Sequence, residues 1–172
     1  MYKRQKENTE QKDKLDRLFR KVKVLYGDVP PQMKFLGNID ANYLEDFLKM
    51  VVKITRHPNI NHDLFTFLRL YIAYKENYIY CKAFNRKMLL VNYSQELIDN
   101  VIDNIESIPL DNRHIELAKL ALKVIYNSLT VTSKDFDNLF TLGWSQKDIF
   151  DCIDHTGTLF RNGRILNAYM IK

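Results

Sequence analysis

The chain has 172 residues, 46% of them apolar, which suits one globular domain with a sizeable core. Five glycines and four prolines are few, which argues against a turn-rich all-β fold and favours long helices. No apolar run approaches the ~20 residues of a membrane span, and the charged start of the chain shows no secretory signal. We therefore expect a cytoplasmic protein with no membrane partner, in which Cys81 and Cys152 are reduced.

The net charge of +5 comes from residues 1–24, which hold nine basic and four acidic residues. A basic arm of this kind can bind nucleic acid. Here the acidic residues are interleaved, and Leu15, Leu18 and Val22 recur at helical spacing, which indicates a solvated amphipathic helix. We do not expect a nucleic-acid partner, and we interpret residues 1–12 as a frayed basic N-terminus.

Helical periodicity dominates the first half of the chain. A first helix is predicted from about Gln11 to Tyr26, and Pro30-Pro31 should prevent its continuation. A second is predicted from about Asn42 to Thr55. A third, long helix is predicted from about Asp63 through Cys81.

Two later segments repeat the same pattern, Tyr93–Asp103 and Trp144–Asp154. Each places a serine, Ser94 or Ser145, where a helix N-cap belongs. Thr132, followed by Asp135, predicts one more short helix through Phe140. We interpret the repeat as a duplicated helical hairpin inside one helical domain spanning residues 1–172; chance similarity of two capped helices is the alternative.

The third predicted helix has the spacing of a redox motif, C-x-x-C-x-x-x-H, with Tyr78 at the first cysteine position, Cys81 at the second and Asn85 at the histidine position. A dithiol needs two cysteines one turn apart, so that one attacks and the other resolves the intermediate, while a histidine moves the proton. Tyr78 cannot resolve an intermediate. Asn85 cannot act as a base, although it can donate a hydrogen bond to a thiolate. Tyr74 lies one turn earlier on the same predicted face.

Two interpretations of Cys81 stay open: a buried inert cysteine, or a single cysteine with a redox or ligand-binding role. Lys82 and Arg86 flank it but project elsewhere on the predicted helix, so we expect its pKa to stay near ~8.5. Cys152 is expected in a helix core. The four histidines show no metal-ligand spacing, and we expect neither a metal nor a cofactor.

Several further stretches of the chain match the sequence motifs of one protein family in their order and spacing. The redox helix lies within Leu68–Asn85, the helix starts are Asn92-Tyr93-Ser94 and Gly143-Trp144-Ser145, and a late signature runs over Phe160–Ala168. With these motifs the chain, from about Tyr26 to Tyr169, resembles the carboxymuconolactone decarboxylase family in its alkylhydroperoxidase D-like branch. The resemblance implies an all-α fold that assembles as a homo-oligomer.

In active members of that family, a cysteine pair, the following histidine and an upstream glutamate reduce hydroperoxides. The resemblance places the glutamate position at Thr66. It thus implies a peroxidase-related, antioxidant protein with a degenerate motif, acting through Cys81 as a weak one-cysteine thiol peroxidase with an external thiol as reductant. The alternatives are a non-catalytic family member that binds a ligand or a protein, and a carboxymuconolactone-type decarboxylase. Thr66, Tyr74, Tyr78 and Asn85 are expected to line the site.

The first prediction concerns association. The predicted helices carry wide apolar faces that two hairpins are too small to cover, so we expect a homodimer or a larger assembly with the Cys81 helix at or near the interface. Sedimentation at micromolar concentration measures the mass directly, and a stable monomer would contradict the prediction.

Overall fold

The computed structural model describes residues 9–170, and all regular structure in that stretch is helical. Its α-helices are, in chain order, α1 (Thr9–Tyr26), α2 (Pro31–Ile39), α3 (Ala41–Thr55), α4 (His62–Lys75), α5 (Ile79–Leu89), α6 (Gln95–Asp103), α7 (Asn112–Asn127), α8 (Ser133–Thr141) and α9 (Gln146–Ala168). Two short 3-10 turns, Ile105–Ser107 and Ser128–Thr130, flank α7. None of the described helices is long and apolar enough to cross a membrane. The all-α prediction is confirmed.

The described residues form two compact units, one up to Lys53 and one from Ile54 to Met170. In the first unit, an ion pair joins Lys14 Nζ to Glu45 Oε2 at 2.7 Å. Gly37 of α2 lets the Leu44 side chain of α3 pack closely against α2, because a Cβ at position 37 would stand 2.9 Å from a Leu44 methyl carbon. The core of this unit is formed by Leu18, Val22, Val29, Met33, Ala41 and Leu44. The single domain predicted over residues 1–172 stays a prediction, and most of the predicted frayed segment, residues 1–12, lies outside the described residues.

The predicted helices Gln11–Tyr26 and Asn42–Thr55 are confirmed as α1 and α3, but α2 was not predicted. Pro30-Pro31 was expected only to stop a helix. Instead Pro31 is the first residue of α2. An amide N–H at the first helical position has no partner inside the helix, so a proline, which lacks this N–H, costs nothing there.

The predicted N-caps are confirmed. The Ser94 hydroxyl accepts a hydrogen bond from the Leu97 amide at 3.2 Å and begins α6. Ser145 accepts from the Asp148 amide at 3.1 Å, and the Asp148 carboxylate accepts from the Ser145 amide at 3.0 Å, which is a capping box for α9. Thr132 and Asp135 form a second capping box, for α8. The two repeated segments differ in length, because α6 ends at Asp103 whereas α9 continues to Ala168.

The prediction of one long helix carrying Cys81 is wrong, because the chain turns between α4 and α5. Asn77 adopts a left-handed conformation with φ of 57°. The Tyr78 amide donates to the Ala73 carbonyl at 2.8 Å and the Asn77 amide to the Tyr74 carbonyl at 3.4 Å, which is a Schellman motif closing α4. Cys81 therefore lies in the first turn of α5, and residues before and after Asn77 do not share one helix face.

Helix α4 is the core of the second unit. It packs against α5, α6, α7 and α9. Its apolar residues are buried on all sides of the helix, which is typical of a central helix. Those with no exposed surface are Leu64, Phe65, Phe67, Leu68, Leu70, Ile72 and Ala73.

Two histidines hold the loop that leads into α4. Nδ1 of His57 accepts a hydrogen bond from the Ile60 amide at 3.0 Å, and Nε2 of His114 accepts from the Asn61 amide at 3.2 Å. The second ring nitrogen of each histidine lies beside a carboxylate, to which it can donate. Asn61 then caps α4 through its side chain. The start of α4 is thus fixed by polar contacts from other parts of the second unit.

Candidate functional site

Arg69 of α4 connects most of the predicted site residues. Its Nε donates to Oδ1 of Asn85 at 2.9 Å, and its Nη2 donates to Oγ1 of Thr66 at 2.7 Å. Its Nη1 lies 3.4 Å from Nε2 of His155 on α9. Asn85 in turn donates from Nδ2 to the backbone carbonyl of Cys81 at 2.8 Å. We call these five residues the arginine cluster.

Helical spacing on each helix produces the arginine cluster. Thr66 and Arg69 are three residues apart on α4, so their side chains lie on one face. Cys81 and Asn85 are four residues apart on α5, and the Asn85 amide reaches back one turn to the Cys81 carbonyl. The pair on α4 and the pair on α5 meet because these two helices pack against each other.

The Cys81 side chain is buried, and its residue is only 9% exposed. Burial raises the pKa of Cys81 to about 11, and the positive charge of Arg69 lowers it only in part. The prediction of a pKa near ~8.5 is therefore wrong. The cation beside Cys81 comes from a different helix, while Lys82 and Arg86 point elsewhere as predicted, to Asn77 and to Asp99. At neutral pH this cysteine is held as a thiol.

His155 is neutral and incompletely hydrogen-bonded. Because a guanidinium only donates, Nε2 of His155 is the acceptor toward Arg69 and Nδ1 carries the hydrogen. That Nδ1 is buried and has no hydrogen-bond partner among the described residues. Burial lowers the pKa of His155 well below its usual value, and the charges of Arg69 and His62 lower it further. Burial also lowers the pKa of His62, with a further contribution from Arg69.

Tyr78, at the first cysteine position, is part of the packing. Its hydroxyl donates to the Phe160 carbonyl of α9 at 3.1 Å, and only 3% of the residue is exposed. Its ring lies against Gly163, where a Cβ would overlap the ring carbons. The place of a resolving thiol is thus occupied by a fixed aromatic ring.

Tyr74 belongs to a different set of contacts. Arg86 donates from Nε to the Tyr74 hydroxyl at 3.1 Å and pairs with Asp99 at 2.6 Å. The ammonium of Lys82 lies 5.0 Å from the centre of the Tyr74 ring. The structure therefore brings Thr66, Cys81 and Asn85 together and leaves Tyr74 with Arg86.

Sequence reasoning missed two members of the arginine cluster. The sequence around Arg69 does point to a buried polar role, because Arg69 is a charged residue between Leu68 and Leu70 in an otherwise apolar stretch. No sequence pattern indicates His155, since only tertiary packing brings it to α4.

Cys152 has no exposed surface, and burial raises its pKa to about 12. In the described part of the chain, no three or more His, Cys, Asp or Glu side chains are grouped so as to hold a metal ion.

Two solved structures share this fold. A crystal structure of an uncharacterized peroxidase-related protein from Silicibacter sp. TM1040 is 18% identical in sequence, with a TM-score of 0.80, and the match covers 93% of this chain and 84% of that one. An alkylhydroperoxidase AhpD core structure, of an uncharacterized peroxidase-related protein from Ralstonia eutropha JMP134, is 18% identical, with a TM-score of 0.76, and the match covers 91% of this chain and 83% of that one. No protein-family model and no curated protein matches the chain. At this identity the likeness shows the fold alone, and it confirms the alkylhydroperoxidase D-like fold that the sequence motifs implied.

Gly163 and Gly157 give a matched test of the Tyr78 packing. Gly163→Ala should destabilise the protein by about 1–3 kcal/mol, because the new methyl group overlaps the Tyr78 ring. Gly157→Ala, on the same helix, would meet only Ile125, at 3.6 Å, and should be neutral or stabilising by up to about 1 kcal/mol. Urea unfolding measures both changes. Equal midpoints for the two variants would show that the Tyr78 contact is not tight.

The lowered pKa of His155 predicts that the protein loses stability in acid. Its pKa is lowered in the folded protein, so below the unfolded value of ~6.5 the unfolded chain binds a proton that the folded protein does not. The free energy of unfolding should therefore fall as the pH drops below ~6.5, by at most about 1.4 kcal/mol for each pH unit. In His155→Gln, which stays neutral and can still accept from Arg69, this part of the dependence should be absent. Urea titrations at several pH values compare the two proteins. Parallel curves would contradict the prediction.

Proposed function

We propose that the protein is a degenerate member of the alkylhydroperoxidase D-like, peroxidase-related proteins, and that Cys81 acts as a slow one-cysteine thiol peroxidase. The observation that carries the proposal is the position of Cys81 in the first turn of α5, where Asn85 links its backbone carbonyl to the guanidinium of Arg69. A helix N-terminus and a nearby cation both favour a thiolate. Tyr78, packed on Gly163, rules out a resolving thiol at that position, so a two-cysteine cycle is not proposed.

The proposed cycle uses external thiols. The Cys81 thiolate attacks the terminal oxygen of a hydroperoxide, the O–O bond breaks, and the alkoxide leaves as an alcohol after taking a proton, which yields Cys81 sulfenic acid. An external thiol then attacks the sulfenic sulfur, forms a mixed disulfide and releases water. A second external thiol attacks the mixed disulfide, takes the first thiol as a free disulfide and restores Cys81.

Burial makes this chemistry slow at neutral pH. With a pKa of about 11, Cys81 is almost entirely protonated at neutral pH, and only the thiolate attacks a peroxide well. The thiolate fraction, and with it the rate, should rise about tenfold for each pH unit up to that pKa. An alkaline activity profile is therefore part of the proposal.

A second candidate is a non-catalytic member of the family that binds a small ligand near Cys81. The observation that favours it is the buried Nδ1–H of His155, which lacks a partner among the described residues and which a ligand's acceptor atom would satisfy. The burial of Cys81 fits this candidate as well. Assembly with further copies of the chain remains part of either proposal, supported by exposed apolar residues at the ends of α5, Ile79 and Leu90.

Peroxidase assays on cysteine variants separate the two candidates. With an alkyl hydroperoxide and a dithiol reductant, the native protein should consume peroxide slowly, and Cys81→Ser should abolish consumption. Cys152→Ser is the matched control, because Cys152 is also a buried free cysteine but lies outside the arginine cluster, and it should match the native protein. Mass spectrometry of sulfenic acid trapped on Cys81 identifies the reacting sulfur.

The possible failures are distinct. Activity that survives Cys81→Ser would place the site elsewhere. An unoxidised Cys81 in excess peroxide would favour the binding protein. A variant combining Tyr78→Cys, Asn85→His and Thr66→Glu should gain turnover if the missing groups alone account for the low rate.

A further inference from the structure

We infer that a surface cavity between α4 and α7 binds a small amphipathic monocarboxylate, an anion with one carboxylate on an apolar chain. The cavity has a volume of about 390 Å³, within the range of roughly 300–1,000 Å³ that is typical of small-molecule sites. We call it the α4–α7 cavity. Its lining includes Tyr71 and Lys75 of α4, Ile105 of the 3-10 turn before α7, and Leu122 and Tyr126 of α7.

Helical spacing forms the two walls of the α4–α7 cavity. Tyr71 and Lys75 are four residues apart on α4, so their side chains lie on one face of that helix. Leu122 and Tyr126 have the same spacing on α7. The ring of Tyr126 packs edge to face against Phe160 of α9, with the ring centres 5.8 Å apart, which holds this wall in place.

The least exposed residues of the α4–α7 cavity are apolar. Leu122 is 8% exposed and Ile105 is 9% exposed. The ring of Tyr126 adds further apolar surface. Burial and the nearby carboxylate of Glu76 raise the pKa of Tyr126, so its hydroxyl stays neutral. An apolar chain that lies against these residues leaves water, which favours binding.

Three lysines line the α4–α7 cavity, and two of them are matched by carboxylates. Nζ of Lys119 lies 2.8 Å from Oε1 of Glu116 and 3.4 Å from Oε1 of Glu106. Nζ of Lys123 lies 2.8 Å from Oδ1 of Asp135. These ion pairs hold two ammonium groups at the cavity and leave no excess positive charge there.

Lys75 supplies the unmatched charge. Its ammonium lies 5.5 Å from the centre of the Tyr71 ring, and no carboxylate of the described residues forms an ion pair with it. The carboxylate next to it in the chain, Glu76, pairs instead with Arg164 at 3.3 Å. One unmatched cation beside an apolar surface complements one carboxylate on an apolar chain. A dianion such as a phosphomonoester would instead meet the carboxylates that pair with the other two lysines.

The α4–α7 cavity is separate from the arginine cluster. Tyr71 follows Arg69 by two residues, which is about 200° around the helix, so the two sites lie on different sides of α4. The inference therefore goes beyond the proposed peroxidase function and does not rest on it. It also differs from the second candidate, whose ligand would lie near Cys81.

Isothermal titration calorimetry of the full chain with octanoate tests the inference. Octanoate carries one carboxylate on an apolar chain and should bind saturably, with one site per chain. Acetate lacks the chain and octylammonium reverses the charge, so neither should bind measurably at the same concentration. The inference is overturned if millimolar octanoate does not bind, or if acetate or octylammonium binds as tightly as octanoate.

Variants of Lys75 test its role in recognition. Lys75→Gln should weaken octanoate binding by about threefold, as expected for loss of an exposed ion pair, and Lys75→Glu should weaken it further. Lys75 is exposed, so both variants should fold. Lys82→Gln is the matched control, because Lys82 also lies over a tyrosine ring, 5.0 Å from the centre of Tyr74, but does not line the cavity. It should bind octanoate as the native protein does, and native affinity in Lys75→Glu would contradict the inference.

Cys81→Ser separates this inference from the proposals for the arginine cluster. The variant should bind octanoate with native affinity whether or not it consumes hydroperoxide, because the α4–α7 cavity does not include Cys81. Loss of octanoate binding in Cys81→Ser would place the ligand in the arginine cluster, which would overturn the inference and support the second candidate. Loss of peroxide consumption with unchanged octanoate binding would support the proposed function and this inference together.

Discussion

The hydrogen-bonded guanidinium of Arg69 is the interaction on which the candidate site depends. It projects from α4, the most deeply buried helix of its unit, and a partly buried charge is costly unless its donors find acceptors. Asn85, Thr66 and His155 supply acceptors from α5, α4 and α9. The packing of these helices and the polar contacts between them therefore depend on each other. A shift of any one helix would leave a buried polar group without its hydrogen-bond partner.

The positions that a dithiol peroxidase would use for turnover have structural roles in this chain. Tyr78 packs against α9 and bonds to its backbone, and Asn85 links α4 to α5. Both therefore contribute to stability through contacts that a cysteine and a histidine would not make in the same way. Structures described as peroxidase-related share this helical fold, and a fold does not by itself decide which activity a protein has.

The sequence predicted what is local and failed where tertiary contacts decide. The caps at Ser145 and Thr132 could be predicted because a cap depends on residues within one turn. The end of α4 was missed because apolar and aromatic residues keep a helical spacing straight through Asn77, although asparagine is one of the few residues that adopt its left-handed conformation readily. The contact between Arg69 and His155 joins distant parts of the chain, and no local pattern indicates it. The pKa of Cys81 was mispredicted for the same reason, since burial is a property of the packed helices.

The contact between Tyr78 and Gly163 constrains the order in which substitutions can accumulate. A tyrosine ring fits at position 78 only while position 163 has no side chain. Once the ring is in place, a larger residue at 163 is excluded, and shrinking the ring to a cysteine opens a cavity that costs about 3 kcal/mol. A cysteine at position 78 therefore requires compensation elsewhere in α9, so a single nucleotide change at codon 78 meets a stability barrier. The constraint is in this sense directional: glycine at 163 leaves position 78 open to small and large residues, whereas a tyrosine at 78 excludes a side chain at 163.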